Sequence, residues 1–373
     1  MSSKRFFFLL SGENPSLATY ELECLVHLLI DSPFRIQISQ DNRVFELILS
    51  LGAKPKLDMS FLNEIMDRVT LAHYCCERLF QIDYCSTSIP QSGEELVAAI
   101  PQTIFHKMDP ERTFAVTTKR IGNPIGPCRD RGFTLEISGL VGNIIQELNP
   151  GKQVNLDVPM EQIIILVSKH GMWLGKYLRD SFRKKVRLRS AHSRPFFHPS
   201  AMNPILQRTM INLASLKPGD WMLDPFCGTG GALLEGARLG IRSVGVEIDR
   251  RIIWGARQNL QSDVQTKSFT HLIFADGIRL GIKGGAIDGV VTDPPYGSAA
   301  STKGRGLDEL LIELFREIRP FLRPQCRVVV ATPSSLEIEQ QAAQILNATY
   351  KTFFQYIHKS LTRKILVFIL NKP

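Results

Sequence analysis

The stretch VVTDPPYG, residues 290–297, runs from β-branched apolar residues into a carboxylate, two prolines and an aromatic ring. Such a set can grip a flat base that carries an amino group. An exocyclic amine on a nucleobase is a poor nucleophile because its lone pair is delocalised into the ring. Acceptors held against its N–H bonds draw the nitrogen towards tetrahedral geometry and localise that pair. Asp293 supplies an ionised oxygen, and the main-chain carbonyl of Pro294 can supply a second acceptor. The prolines fix φ and lack N–H groups, so the turn is rigid and brings no competing donor. Tyr296 offers a face on which a base swung out of its stack can rest. Asp293, or solvent through it, would take the proton afterwards. Alone, the tetrapeptide is equally an ordinary turn, since Asp and Pro are turn residues.

A second constellation lies upstream. WMLDPFCGTGGALLEGARLG, residues 221–240, reads as strand, glycine-rich turn, then helix, with Gly240 placed as a helix C-cap. Gly228, Gly230 and Gly231 allow a tight turn and the close approach of a ligand. After the helix, SVGVEID reads as a second strand ending at Glu247, 23 residues beyond Asp224. That spacing suits an acid that binds ribose hydroxyls in a dinucleotide-type fold. The loop lacks a G-x-G-x-x-G cradle, and no G-x-x-x-x-G-K-[ST] occurs, so a ligand with phosphates is disfavoured. Asp224 at a strand end would repel phosphate but can serve an ammonium group. S-adenosylmethionine has an ammonium, a sulfonium and no phosphate. Asp276, in FADG, ends another short apolar run and could accept from the adenine amino group. Thr229 and Gly277 stand in the same turns and complete the candidate cofactor set. Three strand-end acids can each be explained as helix N-caps, but together with the glycines they point to one pocket. DPPY then falls at the carboxyl end of a later strand, the edge where such sheets bind ligands.

The elements that must position these residues follow from periodicity. From about Pro195 onwards strands and helices alternate, the pattern of a mostly parallel sheet covered on both faces. The start reads βαββαβ, a ferredoxin-like order: RFFFLL; a helix with Ala18, Leu22, Leu25 and Leu29; FRIQIS and VFELIL as a hairpin; a helix near 61–73; and LFQIDY. A second small unit follows. FAVTTKR is a strand, IGNPIGPCRDRG a loop, and Phe133 to Leu148 a helix. Val154, Leu156 and Val158 alternate as a strand would, QIIILVS is a buried strand, and MWLGKYL closes the unit. The boundaries are thus 1–88, 89–178, a basic linker 179–194, and 195–373.

Composition agrees. A chain of 373 residues, 44% hydrophobic and 22% charged, is soluble, globular and long enough for two or three domains. No apolar run approaches the roughly 18 residues of a membrane span, and FFFLL is shorter than a secretion signal requires. Seven cysteines without a C-x-x-C pair suggest reduced thiols in the cytoplasm and no metal. Charge is uneven: residues 1–100 carry 8 Lys/Arg against 13 Asp/Glu, residues 101–200 carry 16 against 8. A basic middle third suggests a polyanionic partner. Lys119, Arg120, Arg183, Lys184, Lys185 and Arg187 are the candidate phosphate contacts, although such runs are most often solvated connectors.

RPFFHPSAMNP, LDPFCGTGGALLEGARLG, TDPPYG and HKSLTRKILVF together resemble the archaeal-type tRNA (guanosine-10 N2)-methyltransferases, a branch of the Rossmann-like S-adenosylmethionine-dependent enzymes. The resemblance spans nearly the whole chain. It implies an N-terminal ferredoxin-like domain, a THUMP domain that grips tRNA, a linker and a catalytic domain with a seven-stranded sheet. The THUMP match rests on element order and on KQVNLDVPMEQIIILVSKHGMWLGK. It further implies that Phe197, His198 and Pro199 lie against the cofactor and that Asp224, Gly228 and Gly230 hold its methionine part. Glu247 would bind the ribose, Asp276 the adenine, and Asp293, Pro294 and Tyr296 the guanine amine. The family's acid at 247 is commonly Asp, so Glu is a departure. Related eukaryotic enzymes use a small activating partner, which the resemblance allows here. Three alternatives stay open: another tRNA or rRNA guanosine as target, a non-catalytic RNA-binding protein on an inactive methyltransferase fold, and, on fold alone, a nicotinamide-dependent dehydrogenase.

Overall fold

The computed structural model describes residues 3–50, 59–84, 90, 92–106, 108–122, 131–263, 266, 268–282, 284–295, 306–358 and 361–372. Tyr296, Cys85, Cys128 and most of the loop after Ile121 lie outside the described residues. The chain forms two compact units. One comprises residues 1–15, 31–66 and 72–181; the other comprises 16–30, 67–71 and 182–373.

In chain order, β1 (Ser3–Leu10) of the first unit is followed by helix α1 (Pro15–Leu29), which belongs to the other unit, and then by β2 (Phe34–Ile38), β3 (Val44–Ser50), α2 (Ser60–Arg68) and β4 (Ala72–Asp83). The β1–β3, β2–β3 and β1–β4 pairs are all antiparallel, as the βαββαβ order requires. After α3 (Gly93–Ala98) follow β5 (Phe114–Arg120), α4 (Arg131–Leu148), β6 (Glu161–Val167) and β7 (Gly171–Asp180). All seven strands make one sheet, in the order β2-β3-β1-β4-β7-β6-β5. The join is β4, a twelve-residue strand whose length from Tyr74 to Asp83 pairs with β7 through two register shifts. The two small α/β units read from the sequence therefore share a sheet. Helix α4 places Phe133, Ile137, Val141 and Ile145 at fourfold spacing against Ile163, Ile165 and Val167 of β6.

Two local expectations fail. The second helix stops at Arg68 instead of running to 73, and Ala72, His73 and Tyr74 begin β4. The alternation at Val154, Leu156 and Val158 is no strand, and only Val154 makes an isolated bridge, to Phe114. Asn155 Oδ1 accepts from the N–H groups of Asp157 and Val158, which folds the segment into a turn. The three apolar side chains are accordingly exposed.

The second unit contains α5 (Arg183–Arg187), α6 (Pro204–Leu213), β8 (Trp221–Asp224), α7 (Gly231–Ala237), β9 (Arg242–Glu247), α8 (Arg250–Ser262), β10 (Thr270–Phe274) and β11 (Ile287–Thr292). It ends with α9 (Leu307–Ile318), β12 (Leu322–Pro333), α10 (Glu339–Leu346), β13 (Ala348–His358) and β14 (Leu361–Leu370). The sheet order is β10-β9-β8-β11-β12-β14-β13. The first five strands are parallel, and β14 is antiparallel to both its neighbours. This is the Rossmann-like, mostly parallel seven-stranded sheet expected of residues 195–373. Leu223, Val290, Val328, Val330, Leu366 and Phe368 pack beneath Leu311, Phe315 and Ile318 of α9.

Helix α1 belongs to this second unit. Its buried Glu21 accepts hydrogen bonds from Thr70 Oγ1 (2.8 Å), the Leu71 N–H (2.8 Å) and Asn212 Nδ2 (2.8 Å). Tyr20 stacks on Phe353 of β13 with centroids 5.1 Å apart. A second buried tie joins the linker to the helix that follows the glycine-rich turn. Glu235 of α7, fully buried, meets Arg189 (3.1 Å), Arg208 (3.1 Å) and Arg238 (2.5 Å). Burial pulls Arg208 down to about 10, against the opposing pull of Glu235. Removing the one acid leaves a guanidinium buried without its counter-charge. Glu235→Gln is expected to cost about 3–5 kcal/mol of stability, read from the urea midpoint. A loss within experimental error would show that solvent screens the cluster.

Candidate active site

Adjacent parallel strands end in acids. Strand β8 ends at Asp224, β9 at Glu247, β11 one residue before Asp293, and β10 two residues before Asp276. The carboxyl ends of parallel strands lie on one edge of the sheet, so all four acids share that rim. Thr292, the last residue of β11, donates its hydroxyl to Asp224 Oδ1 at 2.8 Å. That bond ties the turn after β11 to the start of the glycine-rich loop. The Phe226 N–H also reaches Asp224 Oδ1, at 3.2 Å. Burial lifts Asp224 to about 7; the two hydrogen bonds oppose the rise, and the charges of Asp293 and Glu247 add to it. A cation bound beside it would favour its ionised form.

The loop itself closes on Glu247. Its Oε2 accepts from the Gly228 N–H at 3.1 Å, and its Oε1 from the Asp249 N–H at 2.8 Å. Burial raises Glu247, and these backbone donors hold it down. Gly228 (φ +51°) and Gly230 (φ +80°) occupy the left-handed region that side chains rarely adopt, and Gly230 caps α7. A Cβ on Gly228 would meet nothing within 4 Å, so the turn leaves an open cradle. Gly277 serves differently, since a Cβ there would stand 2.2 Å from the Pro225 carbonyl oxygen. Asp276 turns the chain before it, its Oδ1 accepting from the Ile278 N–H at 3.3 Å.

The RPFF segment reaches the site through a residue that sequence reasoning missed. Buried Asn259 of α8 accepts from the Phe196 N–H (2.9 Å) and donates to the carbonyls of Phe196 (3.0 Å) and Thr229 (3.0 Å). Phe196 is thus joined through Asn259 to Thr229 of the glycine-rich turn. Phe197 is 40% exposed and stacks on His192, with centroids 4.1 Å apart. His198 Nδ1 lies 2.7 Å from Ser200 Oγ, and Pro199 is exposed. Among the described residues, no hydrogen bond joins those three to Asp224 or the glycines. Thr292, beside the quoted DPPY, was within reach of the motif; Asn259, mid-helix, offered no signal.

At the rim Pro294 is buried, and Asp293 Oδ2 meets Arg363 Nη2 of β14 at 3.1 Å. Tyr296 lies outside the described residues. The basic candidates divide between the units. Lys119 and Arg120 are exposed at the end of β5, Lys119 Nζ sitting 4.6 Å from the centroid of the Tyr74 ring. On α5, Lys184, Lys185 and Arg187 are exposed, whereas Arg183 spends one nitrogen on the Thr70 carbonyl at 2.8 Å. Among the described residues no cluster of His, Cys, Asp and Glu is placed to hold a metal, and no helix is long and apolar enough to cross a membrane.

Comparison with known proteins agrees with this geometry. Residues 191–364 match the model of RMKL-like methyltransferase domains. The tRNA (guanine(10)-N2)-dimethyltransferase of Methanothermobacter thermautotrophicus is 36% identical over 359 residues, covering 96% of this chain and 97% of that one. The enzyme of the same name from Methanocaldococcus jannaschii is 32% identical over 63% of this chain and 65% of its own. Among solved structures, TrmN from Thermus thermophilus superposes with a TM-score of 0.53 at 18% identity, covering 98% and 99% of the two chains, which is a likeness of fold. With near-complete coverage at 36% identity, and with the acids of its motifs gathered on one sheet edge, the chain belongs to the tRNA (guanine(10)-N2)-methyltransferase family.

Proposed function

We propose that this protein transfers methyl groups from S-adenosylmethionine to the exocyclic N2 of guanosine 10 in tRNA, once or twice at the same nitrogen. The observation that carries the reading is the Thr292–Asp224 hydrogen bond, because it sets the residue that would grip the amine next to the floor that would hold the donor. The donor supplies a methyl group made electrophilic by a sulfonium. Asp224 suits the ammonium of its methionine part, and Gly228, Thr229 and Gly230 form the turn around it. Glu247 would take the ribose hydroxyls, and Asp276 with Gly277 the adenine side. Phe197, His198 and Pro199 would lie beside it, on the segment that Asn259 anchors. Asp293 and the Pro294 carbonyl would accept from the two N2–H bonds, fixing the nitrogen lone pair for in-line attack. Tyr296 would support the ring.

The segment 89–178 is assigned as the THUMP unit that binds tRNA, with Lys119 and Arg120 towards phosphate. Lys184, Lys185 and Arg187 add a second basic surface, to which Arg183 contributes less because it is committed to Thr70. A small activating partner would find an apolar seat at edge strand β10, where Ile273, Phe274 and the nearby Trp254 are exposed. A tRNA substrate is consistent with activity in the cytoplasm.

Four outcomes are expected. Labelled S-adenosylmethionine and an unmodified tRNA transcript should yield N2-methylated guanosine, mapped to position 10 by mass spectrometry. Asp293→Ala should abolish transfer while tRNA binding persists; wild-type turnover in that variant refutes the assigned role. Next, Asp224 is largely neutral below its value of about 7, and an ammonium needs it ionised. Donor affinity should therefore fall about tenfold per pH unit below about 7 and level off above it. Calorimetry in buffers of differing ionisation heat should show proton release on binding, and Asp224→Asn should flatten the profile. Finally, charge reversal at Lys184 and Lys185 should weaken tRNA binding and reduce its salt slope by about 2; an unchanged slope dismisses the α5 surface.

A further inference from the structure

We infer that Arg363 is a positioning residue for methyl transfer, a clamp that fixes the Asp293 carboxylate at the orientation from which it holds the amine. The inference rests on the reading of Asp293 given above. The two residues are seventy positions apart and sit on β14 and at the end of β11, with β12 between them. In register, Arg363 stands opposite Pro333 of β12 and Gln355 of β13. Its Nη2 reaches over to Asp293 Oδ2 at 3.1 Å, with side chains only 12% and 21% exposed. An ion pair this sheltered is screened less than a surface pair, and a hydrogen bond between two ionised groups is stronger than a neutral one.

The clamp matters because of where Asp293 sits. It is the first residue beyond β11, and the last torsion of an aspartate is broad. Left to itself, such a carboxylate presents its oxygens over a range of angles. Holding Oδ2 from β14 fixes the carboxylate plane, and with it the place of Oδ1. Grip on the amine needs that precision, because a lone pair is localised only by acceptors lined up with the N–H bonds. In the transfer the N2 lone pair forms the bond to the methyl carbon as the carbon–sulfur bond breaks, its electrons staying on sulfur. One N2 proton then leaves to Asp293 or water. The arginine has a second effect. Asp224 stands close enough to Asp293 to feel its charge. A guanidinium on Asp293 lets two acids share one rim.

A strut that merely stabilised β14 would also bind an acid, so the test separates the two roles. Arg363→Ala, Arg363→Lys and Asp293→Ala are compared with wild type in steady-state methylation of the tRNA transcript, with donor affinity measured by calorimetry. A clamp predicts that Arg363→Ala keeps the donor affinity and the tRNA KM but loses about a hundredfold in kcat, the scale of a small misplacement of a reacting group. Arg363→Lys should recover part of that loss. Added guanidinium ion, at concentrations that leave wild type unaffected, should partly restore Arg363→Ala and do nothing for Asp293→Ala. Wild-type kcat in Arg363→Ala overturns the inference. So does a loss of donor binding that neither lysine nor guanidinium repairs, since that is the mark of a strut. Absence of N2-methylguanosine with wild type is a different failure, and it removes the function reading itself.

Discussion

The site depends on a carboxylate taken out of water. Asp224 is buried at the end of β8, where ionisation is resisted, and the hydroxyl of Thr292 is what makes its position tolerable. Because β8 and β11 are hydrogen-bonded neighbours, that one contact brings two loops of separate sequence origin to a common floor. The glycine-rich turn must then bend away from it, which only φ values above zero permit at Gly228 and Gly230. Glu247 closes the bend from the next strand by accepting from Gly228. Each of these arrangements would be unfavourable on its own. Together they leave an acid-lined edge beside the glycine-rich turn.

Much of this was legible because the signals are short in range. A strand ending in an acid, followed by glycine or proline, is written in a handful of consecutive residues. The alternating strands and helices of the second half, and the βαββαβ order of the start, announce themselves through periodicity. What escaped detection depends on partners far apart in the chain. No local pattern tells that β4 pairs with β7 and makes one sheet of two units, or that Arg363 crosses β12 to reach Asp293. Asn259 looks like any polar residue on an amphipathic helix until its three backbone partners are seen. The opposite error arose at Val154 to Val158. There a genuine alternation of apolar residues was overruled by a single side chain, Asn155, that offered the backbone a turn.

The charge distribution has a comparable logic. Inside the second unit the arginines of the linker are not all available to a polyanion, since Arg189 is spent on Glu235 and Arg183 partly on Thr70. A count of basic residues between 179 and 194 therefore overstates the surface that can face phosphate. The lysines of α5, both exposed, are the better candidates.

Helix α1 carries a lesson about inheritance. It is encoded between two strands of the first unit, yet Glu21 and Tyr20 complete the interior of the second. A gene fragment starting at Phe182 would encode a methyltransferase sheet lacking one of its own walls, leaving Asn212 and Phe353 without the groups that cover them. The catalytic half of this chain is thus no detachable cassette. Recombination that separates the two units must cut in more than one place, because residues 16–30 and 67–71 of the second unit are encoded inside the first.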